Sequence, residues 1–309
     1  MTQTGMGLIT DGKRNKYQRG VIADAYDAYA DFIQKRKITP RDLEVLKGIY
    51  YHRCLTSTQI AKMYYSKKDD GTENKAALVI ARRRLRTMYE AHLIDRFFID
   101  VGENNGSSPQ FCMLDSVGAY VVAGLLNIPL DDLKWRKDQN KVLLPYLSHT
   151  VGINDFWLSV SEAADRKKHR VTDYRVENHC RAQFMFYEDN VVLQPDAYFK
   201  YYVGSDGFHF FVEIDRGTMT MTQFSYKVKR YAKYYSSSAY LAEYPSFPAV
   251  MVVTTTDERA RQIKKCIDEN DPYSEITWLV TDEASARERF LERIWFIDHA
   301  EHKVSFLEI

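Results

Sequence analysis

The chain has 309 residues, 45% hydrophobic and 14% aromatic, with 43 basic against 42 acidic side chains and a net charge of +1. That length accommodates about two domains with sizeable cores. No run of about 18 apolar residues occurs and the first twenty residues are polar, which argues against a membrane span and a secretory signal and predicts a cytoplasmic protein.

Cys54, Cys112, Cys180 and Cys266 are scattered, without a CxxC pair or histidines at zinc spacing, and read as free thiols. No GxxxxGK[ST] loop is present, which argues against an ATPase.

Residues 1–37 form a basic leader with Lys13, Arg14, Lys16 and Arg19. Thr39-Pro40 then predicts a helix start, an N-cap followed by proline at the first helical position. Leu43, Leu46, Ile49 and Tyr50 supply its apolar face, and Leu55-Thr56-Ser57 opens a short second helix through Tyr64. After a polar loop over 66–74 comes a third helix, where Leu78, Ala81, Leu85 and Met88 recur at the spacing of a buried stripe. That stripe turns Arg82, Arg83, Arg84 and Arg86 mostly outward. From Lys75 to Arg96 six basic residues face two acidic ones, a local charge of +4 in a chain that totals +1.

Alternation over Ile94–Val101, a turn over 102–109 and the run Gln110–Leu114 predict a two-stranded wing, and Asp115 opens a further helix. Three helices followed by a hairpin is the winged helix-turn-helix order, in which the third helix enters the major groove of duplex DNA. Residues 38–126 are therefore expected to be a DNA-binding domain, with Lys75, Arg82, Arg83, Arg84 and Arg86 as phosphate or base contacts. A winged helix used for protein contacts is the alternative.

Residues 127–147 read as a connector. Over 148–309 the pattern is a helix 148–164, strands near 170–176, 191–203 and 208–215, and a helix 219–235. A strand 249–255, a helix 257–267, a strand 275–280 and a final helix from 284 complete a mixed α/β architecture. Pro195-Asp196 falls on one strand and Glu213-Ile214-Asp215 on the next, joined by a turn at Gly204–Gly207. Glu213 and Asp215 then share a face, and strand pairing brings Asp196 to them. Three close carboxylates call for a compensating cation, and Mg²⁺ held by Asp196, Glu213 and Asp215 fits that need and would serve phosphodiester cleavage.

Here the chain resembles the PD-(D/E)xK nuclease superfamily and, more narrowly, the replication-relaxation family of plasmid and mobile-element proteins. The resemblance rests on Thr39–Leu46, Leu55-Thr56, Ala81–Leu85, His149–Phe156, Pro195-Asp196-Ala197, Phe211–Gly217 and Phe224-x-x-Lys227-x-x-x-Tyr231. It implies a winged helix followed by a restriction-endonuclease-like domain, an α/β (α+β) protein acting on DNA in replication, relaxation or mobilisation. Relaxase or replication proteins are the implied partners, and a homodimer is compatible with the role. The nuclease pattern is broken at Asp215, where a lysine is expected; Lys227 on the following helix and the adjacent Arg216 are the candidate substitutes by position, and the expected catalytic set is Asp196, Glu213, Asp215 and Lys227. A non-catalytic accessory factor or regulator on the same fold is the competing expectation, and a protein-binding adaptor the third.

His149, Asn154 and Asp155 are candidates to flank the carboxylates, and Tyr226, Tyr231, Tyr234 and Tyr235 to stack on bases. No His-x-His pair of the relaxase type occurs, and His299-x-x-His302 is a weak metal signal.

Overall fold

A computed structural model describes residues 8–9, 22–35, 38–68, 70–99, 108–140, 146–176, 179–271, 275–300 and 302–309. Most of the basic leader, Asp69, positions 102–107 of the expected turn and positions 141–145 of the expected connector lie outside these residues. The chain is a mixed α/β protein that divides into two compact units, Met1–Val151 and Gly152–Ile309.

In the first unit, β1 (Leu8–Ile9) and α1 (Ala25–Lys35) precede α2 (Pro40–His52). A reciprocal capping box starts α2: the Thr39 hydroxyl accepts from the Asp42 N–H at 3.2 Å, and the Asp42 carboxylate accepts from the Thr39 N–H at 2.8 Å. The same device recurs where Thr56, the last residue of β2 (Leu55–Thr56), and Gln59 cap α3 (Ser57–Ile60). A π-helical turn, Ala61–Tyr65, carries α3 onward. Then come α4 (Ala77–Glu90), β3 (Ile94–Ile99), β4 (Phe111–Leu114) and α5 (Ser116–Leu126), which Asp115 caps.

These strands form an antiparallel sheet in the order β1-β3-β4-β2. Its core joins Val45, Leu46 and Ile49 of α2 to Leu85 and Met88 of α4 and Val117 and Val122 of α5. A Cβ at Gly118 would lie 2.0 Å from the Leu93 carbonyl oxygen, so only glycine permits this approach of α5. Part of the expected connector belongs to this core, for Leu133 is buried and Trp135 packs against it.

The boundary between the units falls within α6 (Leu147–Lys167). After it come β5 (Arg170–Val176), β6 (Ala182–Phe186), β7 (Asp189–Leu193), β8 (Ala197–Val203) and β9 (Asp206–Asp215). Next are α7 (Met221–Ser236), β10 (Ala249–Thr254), α8 (Asp257–Asn270) and β11 (Trp278–Asp282). The last are α9 (Glu283–Arg289), β12 (Trp295–Ile297) and β13 (Lys303–Val304).

Seven strands run in the order β13-β12-β11-β10-β9-β8-β5, with β9, β10 and β11 parallel and the other pairs antiparallel. The period of two along β9 sorts its side chains. Phe210, Val212 and Ile214 join a core with Phe156 and Val160 of α6 and Ala286 of α9. Phe211 joins a second core, with Phe224, Val228 and Tyr231 of α7 and Ala260 and Ile263 of α8. Glu213 and Asp215 share the α7/α8 side.

Three details differ from the pattern read in the sequence. The expected strand 191–203 is two strands, because Pro195 interrupts the ladder and β7 turns back to pair with β6 in a separate hairpin. Asp196 lies in a bend before β8 rather than on it. The helix from 284 is not final, since β12 and β13 follow it and extend the sheet antiparallel.

Candidate functional site

The predicted arginine helix is α4, and its four arginines have different fates. Arg82, Arg83 and Arg86 are exposed, as is Lys75 just before the helix. Arg84 turns back to the Asp42 carboxylate, which is 1% exposed, donating from Nε at 3.2 Å and from Nη2 to the second oxygen. The hydrogen bond to Asp42 raises the Arg84 pKa against the effect of burial. Arg84 is thus a structural link between α2 and α4. Arg86 pairs with Glu90 one turn on at 2.9 Å, an exposed contact of small energy that a phosphate can replace. No ion pair engages Arg82 or Arg83 among the described residues. Val79 shares their outward face, and Ala76, at the N-cap of α4, supplies no side-chain cap.

In the second unit the three carboxylates sit close in the chain but in two separate settings. Asp196 is clipped onto β9: its N–H donates to the Val212 carbonyl at 3.0 Å and its Oδ2 accepts from the Ile214 N–H at 2.8 Å. That register sets it beside Glu213, which is 1% exposed. Glu213 accepts from Lys227 Nζ at 2.5 Å through Oε2 and from the Tyr231 hydroxyl at 2.6 Å through Oε1. Both donors come from α7, where a spacing of four puts them on one face.

Burial pushes the Glu213 carboxyl up to about 7, opposed by the Lys227 charge and reinforced by Asp196. Burial works against the Lys227 ammonium, but the Glu213 and Asp196 carboxylates hold its pKa above the usual lysine value. Burial and the Glu213 charge push the Tyr231 phenol well up, so it remains a hydrogen-bond donor.

Asp215 belongs to a different group. It accepts from Thr254 Oγ1 at 2.7 Å and from Arg259 of α8, Nε at 2.9 Å and Nη2 at 3.3 Å. The same guanidinium donates to the Met219 carbonyl, tying α8 to β9 and to the loop that leads into α7. Arg216 pairs instead with Glu283, and both line a small cavity with Asp155 and Ser159 on the α6/α9 side of the sheet. Asp155 therefore does not flank the carboxylates, and Asn154 is buried in the same helix. His299 bonds the Asp271 carbonyl through Nε2 at 3.0 Å. Tyr231 and Tyr234 are buried in the core, while Tyr226 is exposed.

The set expected to hold Mg²⁺ does not fit that ion in this arrangement. Mg²⁺ asks for carboxylate and water oxygens in an octahedron, whereas both Glu213 oxygens already accept bonds and Asp215 is held by an arginine. Among the described residues no group of three His, Cys, Asp or Glu side chains is placed to hold a metal. The Lys227 ammonium supplies the compensating charge instead. Lys227 and the Asp196–Glu213 pair do converge, as the sequence suggested. Tyr231, Thr254 and Arg259 were missed as partners. Tyr231 had a signal in its spacing from Lys227, but Arg259, 44 residues beyond Asp215, had none.

A family model described as replication-relaxation matches residues 46–250, well over half of the chain and parts of both units. No curated protein and no solved structure matches. No helix among the described residues is long and apolar enough to cross a membrane.

Proposed function

We propose, from the premise that this chain belongs to the replication-relaxation family, that it binds duplex DNA in the replication or relaxation of a plasmid or related mobile element. In this reading α2, α3, α4 and the β3–β4 pair are a winged helix-turn-helix, and α4 enters the major groove. The observation that carries it is the outward face of α4, where Arg82 and Arg83 are exposed and free of ion pairs among the described residues while Arg84 is consumed in the fold. Lys75 and the uncapped first turn of α4 suit a phosphate at the helix start. Relaxase or replication proteins are the partners such a role requires, and a homodimer would match a two-fold site.

Duplex binding by the intact chain tests this. Arg82→Ala/Arg83→Ala is expected to weaken it about tenfold or more and to flatten its salt dependence, the slope falling by about one for each phosphate that the variant no longer neutralises. Binding unchanged in that variant, or indifferent to salt, would sink the DNA reading in favour of a protein adaptor.

The second unit is read as a PD-(D/E)xK-like scaffold without catalysis, because Lys227 and Tyr231 occupy Glu213 and Arg259 occupies Asp215. The convergence of Asp196, Glu213 and Lys227 favours a second reading, an endonuclease in which Lys227 replaces the lysine expected at Asp215. Incubation of supercoiled plasmid with Mg²⁺ or Mn²⁺ decides between them. Intact plasmid is expected, and nicking that disappears in Asp196→Ala would establish the enzyme.

A further inference from the structure

Helices α7 and α8 pack side by side, each with four basic residues, and treat them in opposite ways. In α8 three of the four are paired within the helix, Arg261 with Asp257, Lys264 with Asp268 and Lys265 with Glu269, each at a spacing of four, and Arg259 is held by Asp215. In α7 there is no acidic residue at all. Lys227 turns inward to Glu213 and Lys233 lies 3.5 Å from Asp189 of β7, while Lys229 and Arg230 are exposed without an ion pair among the described residues. Two of its four cations are thus left at the surface without a carboxylate partner among the described residues, a local excess of positive charge that attracts anions.

Aromatic rings stand exposed along the same surface. Tyr226 is 58% exposed on α7, with the Lys229 ammonium 5.7 Å from its ring centre. The β6–β7 hairpin packs against the far end of α7, where the Lys233 ammonium is 5.6 Å from the Phe186 ring. At the hairpin tip Tyr187 is 89% exposed and has φ 53°, a left-handed conformation that two-residue turns usually give to Asn or Gly. Its ring makes one edge-on contact, with Phe186 at 4.8 Å between centroids, and otherwise stands in water, so a bulky residue is held in a left-handed turn with little packing in return. From Tyr226 to Lys233 is two helical turns, roughly 10 Å.

We infer that α7 and the β6–β7 hairpin form a binding surface for single-stranded DNA, separate from the α4 face. Lys229, Arg230 and Lys233 meet the phosphates, and Tyr226 and Tyr187 stack on unpaired bases. Unpaired bases are the occupant that uses both features, because a duplex keeps its base faces stacked and offers exposed rings nothing to cover. The inference goes beyond the duplex reading of α4 and does not depend on it.

The test measures binding of the full chain to a fluorescent oligo-dT and to a duplex of equal length. Tyr226→Ala/Tyr187→Ala is expected to weaken oligo-dT binding about tenfold, as removal of base stacking does, and to leave duplex binding unchanged. Lys229→Glu/Arg230→Glu should weaken oligo-dT binding further and reduce its salt dependence. All four positions are exposed, so an unaltered melting temperature is expected to accompany these effects. Oligo-dT binding that is absent in the wild type, or equal in wild type and both variants, would overturn the proposal. Arg82→Ala/Arg83→Ala serves as the control, since loss of duplex binding alone in that variant leaves the α7 surface standing.

Discussion

At Glu213 burial and charge pull in opposite directions, and the balance has a sign that can be measured. Burial lifts its pKa from the ordinary 4.5 to about 7, so the folded chain binds more protons than the unfolded one between those values. The contribution of this residue to stability is therefore fully present below about pH 4.5 and is lost as pH rises through about 7. Melting temperatures across that interval are expected to fall more steeply in the wild type than in Glu213→Gln, which cannot ionise; parallel profiles would contradict the shift. Arg84 offers a second test. Its removal leaves Asp42 as an unpaired buried charge, so Arg84→Ala should cost about 3 kcal/mol in urea denaturation. Arg82→Ala, two residues away on the solvent face, should stay within about 0.5 kcal/mol. Neighbouring arginines in one run thus separate into a structural residue and a surface residue, which composition alone does not reveal.

Among the elements, those with local start signals were legible. Thr39-Pro40, Thr56-Ser57 and Asp115 each cap the helix they were expected to open, because a side chain that reaches its own first-turn N–H groups needs no tertiary partner. Thr39→Ala should accordingly cost about 1 kcal/mol, with the change read as a lower denaturation midpoint at unchanged slope. The β6–β7 hairpin escaped notice because its two-residue turn is Tyr187-Glu188, without the glycine or asparagine that marks such turns. By contrast, Gly204 at φ 59° marks the turn between β8 and β9 in the sequence, although the turn is only Gly204-Ser205 and Asp206 and Gly207 of the expected turn already pair in β9. The charge balance of α7 and α8 was open to inspection in the sequence, yet it acquired meaning only when packing showed which side chains remain outside.

For the whole molecule, two units divide the chemistry between a basic helix in one and a neutralised carboxylate–lysine cluster in the other. A resident Mg²⁺ would stabilise the folded chain by mass action. Millimolar Mg²⁺ is expected to leave the melting temperature of the wild type unmoved, and a rise that Asp196→Asn abolishes would reveal a metal site. The helices with local start signals, the arginine run and the alternation that sets Glu213 and Asp215 on one side of the sheet were determined by the sequence. They follow from periodicities of two and 3.6 residues and from caps acting over three or four positions. Tertiary structure alone decided that Arg84 answers Asp42, that Arg259 takes Asp215, and that Tyr231 joins Lys227 on Glu213. Those pairings join residues 14 to 44 positions apart, where the choice of partner depends on which elements pack together and how deeply each charge is withdrawn from water.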